Sequence, residues 1–84
     1  MSNIKDYIEF PVIYTFKIVG DNEPKFITAI KGIFSGYEGA EFVINLSSGA
    51  KYASISATTE IKNYEELESV YKQIAATEGL KFHV

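Results

Sequence analysis

The stretch "SSGAKYASISATT" (Ser47–Thr59) is almost wholly small or hydroxylated, in a chain that is 46% hydrophobic. From Tyr52 onward it alternates with a period of two. Ala53, Ile55, Ala57 and Thr59 fall on one side, with Ile61 continuing the row, and Tyr52, Ser54, Ser56 and Thr58 fall on the other. That period predicts a strand. Small side chains on its inward side leave room for bulky neighbours, as close packing requires. The hydroxyl side is suited to water or a partner. The spacing therefore predicts a central strand, covered by helices on one face and open on the other.

Working outward, Gly49 and Ala50 form a tight connection back to "EFVINLSS", where Phe42, Ile44 and Leu46 point inward and Val43 and Asn45 outward. "FPVIYTFKIVG" (Phe10–Gly20) is a further strand, with Phe10, Val12, Tyr14, Phe16 and Ile18 on one face. Pro11 sits at its start, where a missing donor is tolerated. "DNEPKFITAIKGIFSGY" follows as a helix. Asp21 or Asn22 caps it, Pro24 lies in its first turn, and Phe26, Ile30, Ile33 and Tyr37 form an apolar stripe widened by Ile27 and Phe34. "NYEELESVYKQIAATEG" is the clearest helix. Asn63 and Glu66 have capping-box spacing, Tyr64, Leu67, Val70, Tyr71 and Ile74 form the apolar face, and Gly79 is the stop. "LKFHV" is a last short strand with Leu80, Phe82 and Val84 inward.

The order strand, helix, strand, strand, helix, strand is that of the α+β, ferredoxin-like βαββαβ sandwich. Its four-stranded antiparallel sheet has the order 4-1-3-2 and carries both helices on one face. Residues 1–9 read as a polar lead-in, with Tyr7 and Ile8 as points of attachment, and residues 10–84 as one domain.

Composition narrows the chemistry. The chain has 84 residues and no cysteine, which removes disulfides, thiolate metal sites and thiol nucleophiles. All eight basic side chains are Lys, against 11 acidic ones, for a net charge of −3. Lacking Arg, the chain lacks the forked donor that reads phosphate and guanine, and net acidity opposes nonspecific nucleic-acid binding. RNA-recognition domains share this strand order, but they stack bases on aromatics of their first and third strands. Here the outward set is Ile13, Thr15, Lys17 and Val19 with Tyr52 as the one aromatic, so no nucleic-acid partner is expected. "MSNIKDYIEF" lacks a basic start followed by an apolar run, and no apolar segment approaches the roughly 20 residues that span a bilayer. The expectation is a cytoplasmic protein with no membrane partner.

Groups suited to catalysis are few. Ser47, Ser48, Ser54 and Ser56 are nucleophiles only beside a base, and His83 is the sole histidine; no Gly-x-Ser-x-Gly elbow is present. Glu65, Glu66 and Glu68 suit the positive end of a helix dipole, and no metal set, catalytic set or cofactor is expected. Two places remain for a ligand or partner. One is the loop of Gly20, Asp21 and Asn22. The other is the open sheet face, where Lys17, Lys81 and His83 neighbour Tyr52, Ser54, Ser56 and Thr58, with Ser47, Ser48 and Lys51 at the adjoining turn.

"FPVIYTFKIVG", "SSGAKYASIS" and "YEELESVYKQI" together resemble the YbeD-like family of small, functionally uncharacterised bacterial proteins. The marks are the Phe-Pro opening, the aromatic-Lys-x-x-Gly strand end (Phe16–Gly20), the Ser-Ser…Tyr-x-Ser run, and Tyr71 in the second helix. The family usually has a turn glycine where this chain has Ala50. The resemblance implies a fold similar to ACT regulatory domains, which bind amino acids at the first strand–helix loop, often between paired domains. "GDNEPKF" echoes that loop, with Lys25 where a glycine normally follows the proline.

The expected function is a noncatalytic, ACT-like regulatory or adaptor module that binds a protein or a small metabolite, as a monomer or weak homodimer. Two alternatives stand beside it: a small hydrolase or transferase pairing a Ser with His83, and an assembly module docking through the edge strands "EFVINL" or "LKFHV".

Overall fold

A computed structural model describes residues 9–83. The expectations for Tyr7, Ile8 and Val84 lie outside those residues. The described chain runs β1 (Val12–Asp21), α1 (Pro24–Ile33), β2 (Glu41–Leu46), a 3-10 turn (Ser48–Ala50), β3 (Tyr52–Ile61), α2 (Tyr64–Ala75) and β4 (Leu80–His83). The four strands form one antiparallel sheet in the order β2-β3-β1-β4, the expected 4-1-3-2 read from the other edge.

β3 follows its sequence pattern along its whole length. Ala53, Ile55, Ala57, Thr59 and Ile61 are buried, and Tyr52, Ser54, Ser56 and Thr58 lie on the opposite face. Register explains the small residues. Ala57 is flanked by Phe16 of β1 and Phe42 of β2. Phe34, just past α1, packs against both rings, tilted to Phe16 and edge-on to Phe42, at 5.5 and 5.8 Å between centroids. A larger side chain at position 57 would compete with three rings for one space. Phe26 and Ile30 of α1, Leu67, Val70 and Ile74 of α2, and Ile18 and Ile55 of the sheet complete the core.

Four expectations need correcting. Asp21 and Asn22 do not cap α1. Asp21 still pairs with Tyr52 in the ladder, and Asn22 turns its side-chain amide to the Ala50 carbonyl at 2.9 Å. The N-cap is Glu23, in extended conformation without a side-chain bond, and Pro24 opens the helix. The deepest stripe of the first helical segment is Phe26, Ile30 and Phe34; Ile33 and Tyr37 are half-buried, because the helix ends at Ile33 and the chain turns.

Leu46 shares the inward side with Phe42 and Ile44 yet is 54% exposed. α1 starts over Gly20 and Gly79, where Phe26 packs, and ends beside Phe42. Its diagonal course leaves the Leu46 corner of the edge strand uncovered.

The last correction concerns β4. Gly20 pairs with Leu80, but Val19 pairs with Phe82 and Ile18 with His83, so Lys81 is an extra residue in the ladder. A one-residue bulge reverses the faces beyond it. Phe82, expected inward, is 58% exposed on the open face. His83, expected on the open face, lies on the helix side with its ring 5.4 Å from that of Tyr71.

α2 begins as read. The Asn63 side chain accepts from the Glu66 amide at 2.8 Å. Glu66 in turn accepts from the amide of Lys62 at 2.8 Å, one residue before the usual capping-box partner.

Candidate functional site

The first strand–helix loop is held closed by its own chain. The amide of Asp21 donates to Gly79 at 3.0 Å, that of Asn22 to Lys51 at 3.1 Å, and that of Glu23 to the Asp21 carbonyl at 2.9 Å. Backbone donors that could receive a carboxylate or phosphate are thus engaged across Asp21–Glu23. The Phe26 ring lies against Gly20 so closely that any Cβ there would collide with it. The cleft beside the loop, about 280 Å³, is lined by Asp21, Glu23, Lys25, Phe26, Glu78 and Gly79. Three of these are carboxylates. Lys25 is already paired with Glu78 at 3.2 Å, and Asp21 with Lys81 at 3.6 Å. An anion would meet net negative charge here and cancel the attraction of a helix N-terminus.

The loop and the β2–β3 turn come together, since Asn22 bonds both Ala50 and Lys51 and Asp21 pairs with Tyr52. Gly20, Asp21, Asn22, Lys51 and Tyr52 therefore sit at one end of the sheet. Lys51 stands over the Tyr52 ring at 5.5 Å. Ser47 is structural, its hydroxyl accepting from the Tyr52 amide at 2.9 Å. Ser48 opens the 3-10 turn and is exposed.

The open face of the sheet is the second candidate. Its rows follow from the register: Val43, Ser56 and Lys17 lie side by side, then Asn45, Ser54, Val19 and Phe82. Thr15 and Thr58 hydrogen-bond across the next row at 2.9 Å. Lys17, Ser54 and Ser56 are brought together as expected, and His83 is not. Among the described residues Lys17 has no ion-pair partner. Val43 (59%), Phe82 (58%) and Ile13 (67%) are exposed on this side. The face is thus more apolar than the sequence reading allowed, and strict alternation in "LKFHV" concealed Phe82.

Placement also bears on a Ser–His pair. Ser54 and Ser56 line the open face, and His83 packs under α2 on the other, with its Nδ1 buried and unbonded among the described residues. A sheet separates the two groups, so neither of these serines has His83 as its base. Among the described residues no cluster of His, Asp or Glu suits a metal ion, and no helix is long and apolar enough to cross a membrane.

Known proteins of similar sequence and shape agree with this architecture. The chain is 29% identical over 82 residues to UPF0250 protein PM1928 of Pasteurella multocida, a match spanning 95% of this chain and 93% of that protein. It is 28% identical over 82 residues to a UPF0250 protein of Haemophilus influenzae, covering 95% and 89%. Among solved structures, protein HP0495 of H. pylori superposes with a TM-score of 0.80 at 17% identity, covering 96% of this chain and 89% of that one. The ACT domain from GTP pyrophosphokinase of Chlorobium tepidum superposes with a TM-score of 0.67 at 16% identity, covering 86% and 94%. At such identities the two structures speak for the fold alone. The relatives are YbeD-like small bacterial proteins, the family resembled by the sequence. The family model described as "Protein of unknown function (DUF493)" matches residues 5–84, and the chain belongs to that family.

Proposed function

We propose that this protein is a noncatalytic regulatory or adaptor module that binds a protein partner through the open face of its sheet. The observation that carries the reading is the exposure of Phe82 beside Val19, in one surface with Val43 and Ile13. Large apolar side chains gathered on one face mark interaction surfaces, and scattered ones do not. Lys17, without an ion-pair partner among the described residues, lies beside Ser56 with Val43 beyond it, and calls for a carboxylate on the partner. A metabolite at the first strand–helix loop is the weaker reading, because Phe26 and the loop's own hydrogen bonds occupy the approach. Edge-strand assembly is left mainly to β2, since the Lys81 bulge and four-residue length blunt β4.

The test is capture of a partner by the immobilised protein from lysate of its own source, repeated with variants. Lys17→Glu and Phe82→Ser are expected to lose the partner while keeping the wild-type melting temperature, and Glu23→Gln to retain it. A partner held equally by the sheet-face variants, or lost only with Glu23→Gln, overturns the reading.

A further inference from the structure

We infer that the open face of the sheet is the interface of a two-fold homodimer, packed face to face with a second copy of this chain. The inference rests on the reading of that face as a binding surface and names its occupant.

The register divides the face into rows. Glu60 and Ile13 stand at one end, followed by Glu41, Thr58 and Thr15. Val43, Ser56 and Lys17 form the third row, and Asn45, Ser54, Val19 and Phe82 the fourth. Large apolar side chains are exposed at both ends, Ile13 in the first row and Phe82 in the fourth. About 20 Å of strand separates them, so they cannot cover one another within one copy. Charge is divided along the same axis. The carboxylates of Glu60 and Glu41 lie in the first two rows, and the amine of Lys17 belongs to the third. None of the three has an ion-pair partner among the described residues.

Such a face complements itself when turned end for end. In a two-fold interface one patch serves both copies, so every contact occurs twice. Sheets that pack face to face keep their strands nearly aligned. Laid in the same direction, two copies set the Lys17 row against itself and the carboxylate rows against themselves. Reversed about a point between the Thr15 and Lys17 rows, they set Ile13 of each copy over Val19 and Phe82 of the other. The same reversal lays each Lys17 row over the other copy's Glu41 row, with Glu60 one row further on and one strand across. Charge thus selects the arrangement that also matches the apolar side chains.

The area sets the strength. Ten-residue central strands in a four-stranded sheet give a footprint of at most about 30 by 20 Å. Two copies then bury on the order of 1,200 Å², the lower end for a specific interface. The homodimer is therefore expected to dissociate on dilution.

Sedimentation equilibrium of the whole protein, from micromolar to millimolar concentration, tests this. Wild type is expected to pass from monomer to dimer over that range. Ile13→Ser, Lys17→Glu and Glu60→Lys change exposed positions. Each is expected to keep the wild-type melting temperature and to weaken dimerisation about tenfold. An equimolar mixture of the Lys17→Glu and Glu60→Lys proteins is expected to dimerise more tightly than either alone, because each supplies the charge that the other faces. A monomer at every concentration, a dimer indifferent to Ile13 and Lys17, or a mixture no tighter than its components would overturn the inference. A protein that stays monomeric yet captures a lysate partner through Lys17 and Phe82 removes the homodimer and leaves the partner reading standing.

Discussion

Ala50 has φ of 55°, in the left-handed region, directly after Gly49 at 82°. An L-residue pays about 1–2 kcal/mol for that conformation, and glycine pays little. The position is the one where the resembled family carries its turn glycine, so the sequence already marked it as unusual. The structure shows why alanine is tolerated: Asn22 bonds the Ala50 carbonyl, and the Ala50 amide donates to Ser47 at 2.8 Å, so the turn is held from both sides. Replacing Ala50 by Gly removes the strain but adds entropy to the unfolded chain. The balance is a gain of about 0.5–1 kcal/mol, an increase of a few degrees in melting temperature by calorimetry. A fall instead would mean that Ala50 is not left-handed. Asn63 shows the opposite case, a residue whose role was legible from its neighbours alone, because a cap needs only local sequence.

Among the elements, β3 was legible and β4 was not, for one reason. Ten residues of unbroken alternation declare both faces of a strand, and β3 has them. β4 has four residues, and a single extra one, Lys81, inverts everything after it. A bulge is a property of the pairing between β4 and β1, and nothing within "LKFHV" encodes it. The consequence for the candidate site is direct, since the same slip delivers Phe82 to the open face and removes His83 from it. Two phenylalanines separate the alternatives. If Phe82 is outside, Phe82→Ala changes stability by no more than about 0.5 kcal/mol. Phe34, 2% exposed and packed against the rings of Phe16 and Phe42, is expected to cost about 3–5 kcal/mol on the same substitution. Urea unfolding of the two variants checks this. A large loss from Phe82→Ala would restore the alternating register.

Across the whole molecule the two layers are joined by apolar packing and by the 2.8 Å hydrogen bond between the hydroxyls of Tyr14 in β1 and Tyr71 in α2. The rings of Phe16 and His83 flank Tyr71 at 5.1 and 5.4 Å, so its hydroxyl is shielded where helix meets sheet. The apolar stripes of sheet and helices showed that the layers would stack, but pairing of residues 57 positions apart is set by tertiary geometry. Burial raises the Tyr71 hydroxyl well above the ordinary tyrosine value of 10.0, and the hydrogen bond and charge of Tyr14 act the same way. In the unfolded chain the group ionises near 10, and in the native protein it holds its proton to higher pH. Above about pH 10 the native state therefore binds more protons than the unfolded one, and stability falls as pH rises through that range. Below it the contribution is complete and flat. Tyr71→Phe keeps the ring and removes the titration, at a cost near neutral pH of about 1 kcal/mol for the lost hydrogen bond. Urea midpoints of wild type and variant between pH 8 and 11.5 are expected to converge as the wild type loses its proton-linked share. Parallel curves across that range would show that the Tyr14–Tyr71 contact does not hold the helix layer to the sheet.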